Sequence, residues 1–383
     1  MAGLTIGIRG EARRKRWPRY GTRLALALTL LAAGILPGCI GGNPRVRFGY
    51  VATGEGIFAF RVDAGTALAK VVIGSPFVAK TNANSSTSTS SVVAHPSNHF
   101  VYVANQDINN ISRFRINSTT GALTEVLPRT PLIASGATGL SPAFMTMDKE
   151  GKFLFVSNQI TNDVWVFSIA SSGALSFVSR ALLAGPPSGI ALSPEGNLLY
   201  VPVQVVSAIY AFSVNSGVLT QAGPPFAVSG GVGIPAVDSN GNFLLVPNPS
   251  DNTITVLRIQ ADGSLALGPG AFATGTTPVA AAISPTGNFL YVANSGSSNI
   301  SQFLLTSSTG VLTPLTTATV PTGTEPSQIV NDPDGTFIFV VNQTANTVAE
   351  FTINSAGNSA GTLVSTGNQL QLTSVPRSFS ITK

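Results

Sequence analysis

The chain has 383 residues, with 21 lysines and arginines against 16 aspartates and glutamates, but the basic excess is local. Arg9, Arg13, Arg14, Lys15, Arg16, Arg19 and Arg23 precede residue 39 with Glu11 as their only acidic neighbour, which leaves 14 basic and 15 acidic residues beyond it. A balanced body of this kind has no stripe to track a phosphate backbone, which excludes nucleic acid as an expected partner. The lone cysteine, Cys39, excludes an intramolecular disulfide.

In chain order, the basic run is followed by an apolar run from Leu24 to Leu36, broken by Thr29 and Gly34, and then by Leu36-Pro37-Gly38-Cys39. Basic, apolar and then small residues is the layout of a secretory signal peptide. The apolar run falls short of the roughly 20 residues that a membrane span needs. Leu-Pro-Gly-Cys resembles the bacterial lipobox. The resemblance implies cleavage before Cys39, lipid on its sulfur and a further acyl chain on its new amine. Residues 1–38 are then the signal peptide and 39–47 a lipidated linker, and the product is expected in the bacterial cell envelope, held to a membrane through Cys39.

From residue 48 to 383 one unit repeats. Tyr50-Val-Ala-Thr53, Tyr102-Val-Ala-Asn105, Phe155-Val-Ser-Asn158, Tyr200-Val-Pro-Val203, Leu245-Val-Pro-Asn248, Tyr291-Val-Ala-Asn294 and Phe339-Val-Val-Asn342 recur at intervals of 45 to 53 residues. That period in a strand-rich pattern marks propeller blades. Each unit divides into four strands. In the sixth, Pro278 to Ser284, Phe289 to Asn294, Ile300 to Leu305 and a stretch from Val311 onward are separated by Gly, Pro, Asn and Ser turns. Ser85 to Ser91 is a low-complexity run that reads as a surface loop.

The two ends are complementary. Phe48-Gly49-Tyr50 is a second strand with no first strand before it, and Val375 to Ile381 is an inner strand with no blade after it. The C-terminal strand is therefore expected to complete the first blade and remove two open sheet edges. The predicted fold is all-β: a seven-bladed propeller of four-stranded antiparallel blades.

This pattern resembles the lactonase-type seven-bladed propellers, which include bacterial 6-phosphogluconolactonases, and is similar to the Tyr-Val-Thr-Asn repeat proteins of cell surfaces. The resemblance implies the fold strongly and activity weakly, because propellers host many functions.

Candidate site residues lie on the face carrying the second-to-third and fourth-to-first connections. Asn105, Asn158, Asn248, Asn294 and Asn342 form either a set of turn-making amides or a ring for a polar ligand such as a sugar. Glu325 and Arg377 each precede or open an inner strand, and supply a base and a cation of the kind lactone hydrolysis needs. Asp107, Asp163 and Asp251 are expected to be solvated. His95 and His99 fall on the opposite face with no third ligand near them, so no metal and no cofactor is implied. The inner strands mostly lack the Pro-His or Pro-Arg-His start that lactonase-type enzymes often carry, and only Pro376-Arg377-Ser378 partly matches it. The leading expectation is a surface binding or scaffold protein with an unidentified protein or carbohydrate ligand on one face. The alternative is a sugar-lactone hydrolase.

Overall fold

The computed structural model describes residues 46–63, 67–82, 85–86, 88–134 and 136–383; the expected signal peptide and Cys39 lie outside these residues. Among the described residues seven antiparallel blade sheets follow one another along the chain, with two further two-stranded sheets in the connections. Blade 2 is typical: an inner strand Thr89–Ala94, then Phe100–Asn105, Asn110–Ile116 and an outer strand Leu123–Pro131. Blade 1 is completed from the far end of the chain. Pro376–Ile381 pairs antiparallel with Arg47–Thr53, with Tyr50 opposite Ser380. That pairing closes the ring.

The second strand of each blade is buried throughout or nearly so, as in Phe243–Asn248 and Phe337–Asn342. Its near-continuous apolar sequence reflects burial on both faces, one against each neighbouring blade. The repeat's aromatic residue latches adjacent blades together. Tyr50, Tyr102, Tyr200 and Tyr291 donate to the carbonyls of Gly121, Gly173, Gly263 and Gly361, each in the third-to-fourth turn of the next blade, at 2.7 to 3.2 Å. Gly121 illustrates why that turn needs glycine: its φ is +75°, and a Cβ there would run into the Phe48 ring. Burial pushes all four phenols well above the usual range, which keeps them neutral donors.

The seam between blades 7 and 1 carries a further device. Arg47 donates to Asp332 at 2.9 Å, with both residues buried, and also contacts the exposed Asp334. Asp332 simultaneously accepts from the Phe337 amide, as Asp148 and Asp238 do from Phe153 and Phe243 in their own first-to-second turns.

Inner strands border the central channel and have one edge without a ladder partner. Their serine, asparagine and glutamine side chains satisfy part of that edge across blades. Ser91 accepts from Met145 N, Ser378 from Val92 N, Ser380 from Ala94 N and Gln328 from Phe379 N. The Ser85–Ser91 run is corrected by this arrangement. Its last residues enter the blade 2 inner strand, Thr89–Ala94, where Thr89 is buried and donates to Thr53 O at 2.6 Å. Hydroxyls suit this strand because a channel-side edge needs polar partners that a plain apolar strand lacks.

Candidate functional site

The seven inner strands enclose a channel of about 890 Å³. Its lining mixes Val92, Met145, Ile190 and Phe379 with hydroxyl and amide residues such as Ser188, Ser327 and Gln328. Its two ends differ in chemistry. One mouth is surrounded by the second-to-third and fourth-to-first connections and includes Gln204, Glu325, Gln343 and Arg377; the other is bordered by His95, Asp148, Lys149 and Lys383.

Both residues proposed from sequence as a base and a cation reach the first mouth. Glu325 sits at the turn into the blade 7 inner strand with a left-handed φ of +57°, and its carboxylate accepts from the Thr344 hydroxyl. Non-glycine residues adopt that conformation at a cost, which makes the position a constrained one. Arg377 follows Pro376 at a register shift where the inner strand of blade 1 bulges from its partner. Its Nη1 donates to the Ser88 hydroxyl at 2.9 Å and to Gln106 Oε1 at 3.2 Å. Gln106 is held in turn, its Nε2 donating to Ser141 Oγ at 2.9 Å. Each member of the pair is thus fixed by its own neighbours, and no ion pair joins Glu325 to Arg377.

The five asparagines take a different place. All are buried, and none lines the channel. Asn105 donates to Asn110 and Ser112, and Asn294 donates to Asn299 and Ser301, in each case to residues five and seven positions on. Asn158 donates to Asp163 and Asn342 to Thr347, while the Asn248 amide meets the Thr253 and Thr255 hydroxyls. These amides hold the hairpin between the second and third strands, as the turn-making reading expects.

Asp163 is corrected outright. It is 1% exposed and accepts from Asn158, Thr161 and the Trp165 indole, so it is a hairpin residue and not a solvated one. Asp107 and Asp251 are exposed, as expected. His95 lies at the far mouth. Its Nε2 meets Gly151 O at 3.0 Å and its Nδ1 meets Ser97 Oγ at 2.8 Å. Burial lowers its pKa below the ordinary 6.5, against the opposing pull of the Gly151 carbonyl. Among the described residues no group of three or more His, Cys, Asp or Glu gathers to hold a metal.

Sequence reasoning missed the glutamines. Gln106, Gln204 and Gln343 each immediately follow the fourth repeat position, and all three either line the mouth or hold Arg377. Extending the repeat by one residue is the signal that finds them.

The chain is similar to several solved propellers. These include a candidate 6-phosphogluconolactonase of Bacteroides fragilis (20% identity, TM-score 0.72, covering 88% of this chain and 98% of that one). A second candidate 6-phosphogluconolactonase, from Bacteroides uniformis, matches at 17% identity and TM-score 0.73, over 88% and 99% of the two chains. The periplasmic gluconolactonase of Pseudomonas aeruginosa matches at 18% identity and TM-score 0.71, again over 88% and 99%. At these identities the likeness speaks for the fold alone. No curated protein matches the sequence. The sequence pattern of the family described as "Lactonase, 7-bladed beta-propeller" matches residues 56–235 and 234–324, more than half of the chain. With seven closed blades and that match, the chain belongs to the lactonase seven-bladed β-propeller family.

Proposed function

We propose that this protein is an exported, lipid-anchored binding propeller that holds a small oxygen-rich acid at one mouth of its channel. Arg377 takes the carboxylate and Glu325 accepts from a hydroxyl. The observation that carries the reading is that a cation and a carboxylate line the same mouth without pairing to each other. A guanidinium already oriented by Ser88 and Gln106 loses little freedom on meeting an anion. The anchoring part of the reading rests on the signal layout before Cys39.

Calorimetric titration of residues 44–383 with gluconate tests the binding. Saturable binding is expected, weakened about tenfold or more in Arg377→Ala, since bonds to a charged partner are the strong ones. Equal affinity in the native and Arg377→Ala proteins would remove the assignment.

The second reading, a sugar-lactone hydrolase, is favoured by family membership and by the names of the structural neighbours. It requires a base that activates water beside an oxyanion donor. Neither histidine lies on this face, and Glu325 is engaged by Thr344. The expected result is that 6-phosphogluconolactone opens no faster than in buffer, followed by proton release. Saturable turnover abolished by Glu325→Gln would replace the binding reading with the hydrolase.

A further inference from the structure

Away from the channel, a cleft between blades 2 and 3 holds a cation without a carboxylate partner. The cleft is about 250 Å³ in volume and is lined by Arg113, by Pro128, Arg129 and Thr130 of the blade 2 outer strand, and by Gly173 and Leu175 at the third-to-fourth turn of blade 3. Arg129 is held by Glu125, Nε to Oε1 at 2.6 Å and Nη2 to Oε2 at 3.1 Å. Arg113 differs. Among the described residues no ion pair joins it to a carboxylate. Its Nη1 donates to Ser172 O at 3.3 Å, its guanidinium lies over the Phe100 ring at 6.0 Å, and its Nε is buried without an acceptor. A half-buried cation of this kind is costly unless an anion comes to it.

The repeat shows how the same place is filled elsewhere. Arg113 pairs with Tyr102, the first residue of its repeat. Ala59, Val166, Ala211 and Val256 pair in the same way in blades 1, 3, 4 and 5, and Gln302 does so in blade 6. Gln302 closes its seam from both ends. Its Nε2 donates to Thr317 O, where the blade 6 outer strand shifts register, at 2.7 Å, and its Oε1 accepts from Leu363 N of blade 7 at 2.6 Å. Leu175 stands in blade 3 where Leu363 stands in blade 7: they open their outer strands opposite Ile169 and Ile353. A guanidinium has no acceptor to offer such an amide. Arg113 and Leu175 N therefore both bring donors to the cleft.

We infer that this cleft binds a phosphate or sulfate group, free or at the end of a larger ligand, on the Arg113 guanidinium and the Leu175 amide. A tetrahedral oxyanion has oxygens enough to meet the guanidinium fork and the amide together. The volume lies below the roughly 300 Å³ at which pockets take drug-sized ligands, so it suits one small group. The site is separate from the mouth carrying Glu325 and Arg377 and does not depend on what that mouth holds.

The test is a titration of the purified protein with inorganic phosphate and with methyl phosphate at constant ionic strength, read by phosphorus NMR line width and by melting temperature. Saturable broadening and a rise in melting temperature are expected. Affinity should fall at least about tenfold in Arg113→Gln, which places the blade 6 residue in the blade 2 seam, and should be unchanged in Arg377→Ala. Methyl phosphate binding as inorganic phosphate does would point to a group on a larger ligand, and binding of inorganic phosphate alone to the free ion; both results uphold the site. No saturable binding to the native protein, or equal affinity in Arg113→Gln, overturns it. Binding lost in Arg377→Ala would put the anion at the channel mouth and overturn it as well.

Discussion

At the scale of single residues, the repeat is a set of local hydrogen-bonding devices. The tyrosine reaches a neighbouring blade, the asparagine closes its own hairpin, and the turn aspartate or serine caps the start of the second strand. Their costs differ because their burial differs. Tyr102→Phe removes one bond to Gly173 O and should lower unfolding stability by about 1 kcal/mol in urea titration. Asn294→Leu leaves the Asn299 and Ser301 side chains without their shared donor and should cost more, about 1–3 kcal/mol in the same assay. His95 sets a pH dependence. Its folded pKa is lowered, so the fold favours the neutral ring; that contribution is present above the ordinary value of 6.5 and is lost as pH falls through the lowered one. Melting temperature should therefore drop on acidification more steeply in the native protein than in His95→Gln. Parallel pH profiles would show that His95 makes no such contribution.

At the scale of elements, the closing strand and the seam decide whether seven blades make a ring. Removing Val375 to Lys383 takes away the inner strand of blade 1, the Gln328–Phe379 link to blade 7, the Ser378 and Ser380 links to blade 2, and the Asn98–Lys383 pairing. The truncated ring domain should lose its cooperative melt or aggregate through the exposed edge of Arg47–Thr53. An unchanged melting curve would mean that blade 1 is held otherwise. Asp332→Ala tests the other half of the seam. It leaves the Arg47 guanidinium buried with only the exposed Asp334 as partner, and a cost of about 3 kcal/mol is expected in denaturant titration.

For the whole molecule, the channel has two ends of unlike composition. The far mouth is tied together by His95, Asn98 and the C-terminal residue, whereas the near mouth presents Arg377 and Glu325. The proposed lipidation also concerns the whole chain. An acylated Cys39 is expected at the N-terminus of the protein isolated from native membranes, read by mass spectrometry, and Cys39→Ser should release the protein from them. An N-terminus elsewhere would break the link between this ring and a membrane.

The sequence by itself determined the blades, their turns and the closure, because strand alternation, glycine at positive φ and the unmatched ends are local or one-dimensional signals. It also led to Glu325 and Arg377, since residues opening inner strands in a ring must face its axis. Only the tertiary structure decided the roles of Asp163 and the five asparagines. A polar residue in a polar loop reads as solvated until the neighbouring strand covers it, and burial is a property of packing across strands. Likewise the Ser85–Ser91 run reads as a loop because serine disfavours ordinary strands, yet an inner strand must satisfy an unpaired edge, and its last residues do so.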